Sequence, residues 1–138
     1  MLTRAERAFF DVLRPLVEEH VHLFAMVRLA DLIYIPCGTE KRQSHFNRIQ
    51  SKHIDFVLCN HSDIKPILAI ELDDSSHQRP DRIARDEFVD NALGQAGLPL
   101  LRVPVRAKYD PLSKNWHFLN ANPDYTKYCS YGLFFKSL

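Results

Sequence analysis

Two apolar segments of the sequence each carry acidic residues, and this combination constrains the fold more than any other feature. The segment 54–59 holds a single acid, Asp55, and the next apolar run leads into Glu71 and Asp73. An ionised carboxylate in a buried strand is costly unless a partner compensates its charge. Because alternate side chains of a strand share a face, Glu71 and Asp73 project together, and Asp55 can join them from a neighbouring strand.

Three converging carboxylates are a donor set that suits a hard divalent cation. Each acid also has an ordinary explanation as a solvated strand end, and the D-D-S-S run that begins at Asp73 is typical of a turn. Two adjacent core strands that break the apolar pattern in the same way favour a site. Without metal the carboxylates repel one another, so we expect a strained metal-free site.

Composition excludes several classes of protein. The 138 residues, 46% hydrophobic and 25% charged, fit one globular domain. Three cysteines without C-x-x-C spacing argue against a disulfide framework and a zinc knuckle. No apolar stretch is long enough to span a membrane and the charged N-terminal residues do not fit a signal peptide, so we expect a cytoplasmic protein with no membrane partner. The net charge of +1 still permits a nucleic-acid partner, because an acidic site offsets a basic surface in the sum.

The first half of the chain predicts a helix, a strand and a short basic helix. Thr3 and Glu6 have the spacing of a capping box at the start of the first helix, which Pro15 should kink or end. A strand is expected near residues 23–27, followed by an irregular connection. Residues 39–53 are basic and fit a short helix.

The second half predicts the rest of an α-β-β-β-α-β core. The short connection at 60–63 indicates that the two acid-bearing strands are antiparallel. A helical stripe over 81–96 ends at Gly97, which fits the position after a helix, and residues 98–105 read as a strand parallel to the one before the helix. The predicted fold class is α/β, with a mixed central sheet flanked by helices.

The C-terminal part is expected to lie outside this core. Residues 1–105 form the predicted domain, and residues 106–138 form an irregular, aromatic-rich extension packed on or next to it. Packing is favoured over a base-stacking surface, although interleaved lysines keep the second reading open.

The order of elements, with Asp55 on the second strand and E-L-D at 71–73 on the third, resembles the PD-(D/E)XK, or restriction-endonuclease-like, nuclease superfamily. The I-E-L-D-D-S-S-H run at 70–77, the R-D pair at 85–86 and G-L-P-L-L-R-V at 97–103 resemble a narrower group within it. That group is an uncharacterised bacterial domain family related to the very-short-patch-repair endonucleases.

The resemblance covers about residues 2–105 and implies a restriction-endonuclease-like fold. It further implies a Mg²⁺-dependent endonuclease that hydrolyses DNA phosphodiester bonds, with Mn²⁺ as a substitute. The implied metal ligands are Asp55 and Glu71, and we add Asp73 as a third or outer ligand because it shares a strand face with Glu71. Glu6 matches the acid that such nucleases often place on the first helix, although the capping box explains it without metal.

Asp73 departs from the superfamily pattern, which has lysine two residues after the strand glutamate. Lys52, His77 or Arg85 would then supply a cationic or proton-transferring group, and His77 is preferred because it follows the acidic strand. Two structural readings stay open: His77 as a helix-entry residue bonded to backbone, and Arg85 in a surface ion pair with Asp86.

The candidate DNA contacts are basic residues, which would grip phosphates without reading sequence. They are Arg42, Arg48, Lys52 and Arg85. Two other functions stay open. One is a non-cleaving nucleic-acid-binding or interaction module that keeps the fold. The other is a hydrolase of small phosphate compounds, which the lack of a Gly-rich phosphate cradle disfavours. A homodimer and a larger assembly are also open.

Overall fold

One mixed four-stranded sheet organises the protein in the computed structural model, which describes residues 1–73 and 80–110, with the backbone alone for 80–85. The elements in chain order are α1 (Arg4–Val17), β1 (Val21–Arg28), α2 (Leu29–Leu32), α3 (Arg42–Ile49), β2 (His53–Asn60), β3 (Pro66–Asp73), α4 (Pro80–Gln95) and β4 (Leu100–Pro104). The strand order in the sheet is β1-β2-β3-β4. The predicted α/β class with a mixed sheet and flanking helices is confirmed.

Helix α1 begins with the predicted capping box. The backbone N–H of Thr3 donates to Glu6 Oε2 at 2.6 Å, and the Glu6 N–H donates to Thr3 Oγ1 at 3.3 Å. Pro15 lies inside the helix, which ends at Val17, so the expected termination comes within one turn of the proline. An i, i+4 stripe on one side of the helix is buried. Its members are Phe9, Leu13 and Val17.

The two strand directions that the sequence predicted, those of β2–β3 and β3–β4, are confirmed. β2 is antiparallel to both β1 and β3, and β3 is parallel to β4. The parallel connection runs through α4, after which Gly97 takes a φ of +71° and the Leu98 N–H donates to the Leu93 carbonyl at 3.0 Å. A positive φ at this position is the usual way to end a helix, and it favours glycine.

Hydrophobic cores lie on both faces of the sheet. α1 covers one face, where Phe9 and Leu13 pack with Phe56 and Ile70 of the central strands. The other core joins residues of α2, α3 and α4 to the sheet. Its buried members include Leu29, Ile49, Val57, Ala69, Val89 and Leu93. Burial on both faces explains why β2 and β3 read as nearly continuous apolar runs.

Three expectations for individual segments need correction or stay outside the structure. β1 is longer than residues 23–27, and the connection expected after it to be irregular starts with α2. In the extension predicted from residue 106, Tyr109 is buried and its ring packs edge-on against Phe9, with centroids 5.1 Å apart. Residues 111–138, which make up the rest of that extension, lie outside the described residues.

The two glycines at the end of α4 give a matched test of the backbone geometry. A Cβ would meet no atom within 4 Å at either Gly94 or Gly97, but only Gly97 has a positive φ. Gly94→Ala should raise the free energy of unfolding by about 0.5–1 kcal/mol through helix propensity. Gly97→Ala should lower it by about 1 kcal/mol through left-handed strain. Urea denaturation measures both, and equal effects would contradict the assigned helix end.

Candidate functional site

Glu71 is the one buried charged side chain in the part of the chain that the structure describes, with 9% of the residue exposed. It lies near the C-terminal end of β3, directly after the buried residues Leu68, Ala69 and Ile70. A carboxylate at such a position needs a compensating charge or strong hydrogen bonds. The neighbouring strand β4 supplies that charge.

Arg102 is the parallel partner of Glu71 in the sheet, and its guanidinium joins three carboxylates. Nη1 donates to Glu71 Oε2 at 3.0 Å and lies 3.8 Å from Asp86 Oδ1. Nη2 donates to Asp90 Oδ1 at 2.9 Å. Asp86 and Asp90 both come from α4, so this one side chain ties β3, β4 and the crossover helix together.

Arg102 remains fully charged in this setting. Burial lowers its pKa, but the hydrogen bond to Asp90 and the charges of the three carboxylates outweigh that effect. The pKa of the guanidinium is therefore raised above its already high ordinary value. Its charge is a fixed feature of the site at any pH at which the protein folds.

The expectation of a strained cluster of like charges is wrong for Glu71. A permanent cation contacts its carboxylate, because the β3–β4 register places Arg102 opposite it. Arg102 was missed in the sequence, where it counted only as part of the G-L-P-L-L-R-V run. A lone arginine in an otherwise apolar strand is the signal that marks it, and a buried acid in the parallel neighbour is the partner that it requires.

Asp55 lies where regular pairing around β2 stops. The last β2–β3 pair at this end is Phe56 with Ile70, so Asp55 and Glu71 are the next positions on the two strands. Instead of a backbone bond, Asp55 Oδ2 accepts the Leu72 N–H at 2.7 Å. This bond fixes the orientation of the Asp55 carboxylate at the end of the β2–β3 pairing.

The other neighbour of Asp55 is also irregular. The β1–β2 pairs pass from Ala25 to Val27, and the intervening Met26 has a φ of +55°. A left-handed residue without glycine's freedom costs on the order of 1 kcal/mol in a strand, and such strain is concentrated at functional sites. Both sides of Asp55 therefore depart from regular sheet at the same place.

The remaining predicted acids are placed differently. Asp73 is exposed at the last position of β3. Glu6 is held in the capping box on α1, which packs on the sheet face opposite to α2, α3 and α4. Within residues 1–73 and 86–110, no group of three or more acidic, histidine or cysteine side chains is gathered as a metal cage. His77 and the side chain of Arg85 lie outside the described residues.

Two of the predicted DNA-contacting residues, Arg48 and Lys52, lie near the ring of Phe88. The guanidinium carbon of Arg48 lies 4.0 Å from the centroid of Phe88, and Lys52 Nζ lies 5.9 Å from it. The first distance is that of a close cation–π contact. Arg42 is exposed and its Nε donates to the Ile35 carbonyl at 3.3 Å. Arg48 and Lys52 thus form a basic pair between α3, the start of β2 and α4.

These features define a mixed α/β protein with an acidic pair, Asp55 and Glu71, at one end of its central strands and an arginine bound to that pair's buried member. Residues 1–115 match the family described as "Protein of unknown function (DUF2726)", and the chain belongs to that family. No curated protein and no solved structure matches the chain. Among the described residues, no helix is long and apolar enough to cross a membrane.

The Glu71–Arg102 pair predicts a specific pattern of stabilities. Arg102→Gln should lower the free energy of unfolding by about 2–3 kcal/mol, because it leaves a buried carboxylate without its cation. Glu71→Gln should cost less, since Arg102 keeps Asp90 and Asp86 on α4. The double variant should be more stable than the sum of the single effects implies, by about 1–2 kcal/mol. Additive effects in urea denaturation would show that the two side chains do not interact.

Proposed function

We propose that the protein is a Mg²⁺-dependent nuclease that hydrolyses phosphodiester bonds of DNA. The observation that carries the proposal is the placement of Asp55 and Glu71 one step beyond the last β2–β3 pair. Adjacent strands of one sheet thereby present two carboxylates at the same end. The resemblance to the restriction-endonuclease-like superfamily assigns the metal to these same two residues.

The donor set suits magnesium better than a metal that requires a full protein cage. Mg²⁺ is usually held by one or two carboxylates, with water and substrate phosphate as the other ligands. Asp55 and Glu71 supply two such groups, and the Leu72 N–H fixes the orientation of the first. When held by Asp55 and Glu71, Mg²⁺ would lower the pKa of a coordinated water and offset the charge of the phosphate. Asp73, which is exposed at the end of the strand, is the proposed outer ligand.

The order and pairing of the elements also support the proposal. An α-helix, an antiparallel group of three strands, a crossover helix and a parallel fourth strand are the arrangement that the resemblance implies. Here they are α1, β1 to β3, α4 and β4, with the short helices α2 and α3 inserted after β1. A shared fold does not by itself define chemistry, so the proposal depends on the two carboxylates.

Arg48 and Lys52 are the proposed contacts to the DNA backbone, with Arg42 as a further exposed cation. Lys52 directly precedes β2, three residues before Asp55. A phosphate bound by Lys52 would therefore be held by a residue that is close in sequence to the proposed metal ligand Asp55. Stacking on Phe88 orients the Arg48 guanidinium, which reduces the conformational freedom it loses on binding.

A non-cleaving nucleic-acid-binding module is the second candidate, and one observation favours it. Glu71 already has a cationic partner in Arg102, so the buried carboxylate is satisfied without metal. Under this alternative the acids only stabilise the fold, and the basic pair, Arg48 and Lys52, binds the nucleic acid. The two candidates differ in whether divalent metal binds and whether DNA is cut.

Asp55→Asn and Glu71→Gln test the nuclease directly. Both changes nearly preserve shape and remove the negative charge that a metal needs, and the amide oxygen introduced at position 55 can still accept the Leu72 N–H. We expect wild type to bind Mn²⁺ in calorimetry and to nick plasmid DNA with Mn²⁺ or Mg²⁺, and each variant to lose both. Asp11→Asn is the matched control, because Asp11 is an exposed acid on α1 paired with Arg7.

Two results would reject the nuclease. Wild type that binds DNA without nicking it under any divalent metal supports the non-cleaving module. Nicking that is equal in wild type and Glu71→Gln shows that the cleavage comes from a contaminant.

The basic pair predicts a change in salt dependence. Replacing Arg48 and Lys52 by glutamine should weaken binding to unrelated DNA duplexes to a similar extent. It should also reduce the magnitude of the negative slope of log K against log salt by about 2, since each phosphate contact contributes about 0.9. Replacing Arg7 and Arg14 removes the same charge from α1 on the opposite side of the sheet and should leave the slope unchanged. Fluorescence anisotropy over a salt series measures this. Equal slopes for the two double variants would assign the pair to the solvated surface.

A further inference from the structure

Arg102 and a divalent cation would compete for the same carboxylate. The guanidinium contacts Glu71 Oε2 at 3.0 Å, and Glu71 is the buried one of the two proposed metal ligands. Hydrogen bonds between ionised groups are stronger than those between neutral groups. A metal that takes Glu71 must therefore replace an interaction that the folded protein already has.

The guanidinium has other partners that can retain it. Asp90 accepts from Nη2 at 2.9 Å, and Asp86 lies 3.8 Å from Nη1. Both carboxylates are on α4, whereas Glu71 is on β3. Loss of the Glu71 contact would thus leave Arg102 with acidic partners on the helix side.

We propose that Arg102 is an internal counter-cation that occupies Glu71 until a divalent metal displaces it towards Asp90 and Asp86. It thereby sets the metal concentration at which the site fills, and Arg102 is a positioning residue in this role. This inference rests on the proposed metal site. It adds a regulation of that site that the two carboxylates alone do not have.

The first test is the Mn²⁺ affinity of Arg102→Gln measured by isothermal titration calorimetry. Removing the competing cation should tighten Mn²⁺ binding about tenfold, which is the lower end of what one charge-assisted bond supplies. Arg7→Gln removes an equal charge from α1, where Arg7 pairs with the exposed Asp11, and should leave the affinity unchanged. Asp55 and Glu71 remain intact in both variants.

Asp90→Asn distinguishes two effects. One is competition between Arg102 and the metal for Glu71, and the other is the direct effect of the Asp90 charge on the metal. The substitution removes the partner that would retain a displaced Arg102, so it should weaken Mn²⁺ binding about threefold in the wild-type background. In the Arg102→Gln background the same change should have little effect. An equal weakening in both backgrounds would mean that Asp90 acts on the metal by charge alone, and it would overturn the exchange.

Thermal unfolding gives a readout that a purely structural Arg102 would not produce. Arg102→Gln should melt at a lower temperature than wild type without metal, and Mn²⁺ should raise its melting temperature by more than that of wild type. If Arg102→Gln does not fold, Arg102→Lys serves instead, because it keeps the charge but loses the fork that reaches Glu71 and Asp90 together. Its affinity for Mn²⁺ should rise about threefold.

The outcomes separate the inference from the proposed function. If Mn²⁺ binding requires Glu71 but has the same affinity in Arg102→Gln as in wild type, the role of Arg102 as a counter-cation is rejected. The proposed metal site is then retained. Binding that appears in Arg102→Gln and is absent in wild type supports the inference in its strongest form. No binding in wild type or in either Arg102 variant overturns both.

Discussion

The pairing of β3 with β4 is the constraint on which the candidate site depends. Its parallel register puts Arg102 opposite Glu71, and α4, which connects the two strands, brings Asp86 and Asp90 to the same guanidinium. A buried carboxylate near the end of an apolar strand is costly to the folded state unless a cation or hydrogen bonds compensate it. The crossover that completes the sheet therefore also brings a cation to Glu71. The contact between Arg102 and Glu71 therefore belongs both to the packing of the fold and to the candidate site.

Asp55 belongs to this site for a different physical reason. Its side chain takes the place of a backbone hydrogen-bond acceptor. Asp55 Oδ2 accepts the Leu72 N–H at the point where the β2–β3 pairing ends. Met26 on the other side takes a left-handed conformation instead of continuing regular pairing. Both departures from regular pairing lie next to the acids of the proposed metal site.

The sequence predicted the elements whose signals are local. The capping box at Thr3, the helix that ends at Gly97 and the antiparallel pairing of the two acid-bearing strands each depend on a few neighbouring residues, and each is present. The parallel direction of β4 followed from the length of the intervening helix. Element boundaries were less accurate, as the full length of β1 and the short helix α2 show.

The central contact of the site could not be predicted in the same way. Glu71 and Arg102 are 31 positions apart, and their contact depends on the exact β3–β4 register. The roles of Asp86 and Asp90 depend further on how α4 is rotated over the sheet. Sequence patterns fix neither quantity, so candidate acids were found and their cation was not. The expected repulsion left out the charge of Arg102, because its position opposite Glu71 depends on that register.

Crystals of the wild-type protein soaked in Mn²⁺ give the most direct test of the central claim, since manganese is located by its anomalous scattering. The account predicts one anomalous peak about 2.0–2.6 Å from oxygens of Asp55 and Glu71, the range that Mg²⁺ and Ca²⁺ span in their distances to oxygen ligands. It also predicts that Arg102 is then paired with Asp90 and no longer with Glu71. A well-ordered site with no peak there, and with the Arg102–Glu71 contact intact at saturating Mn²⁺, would contradict it.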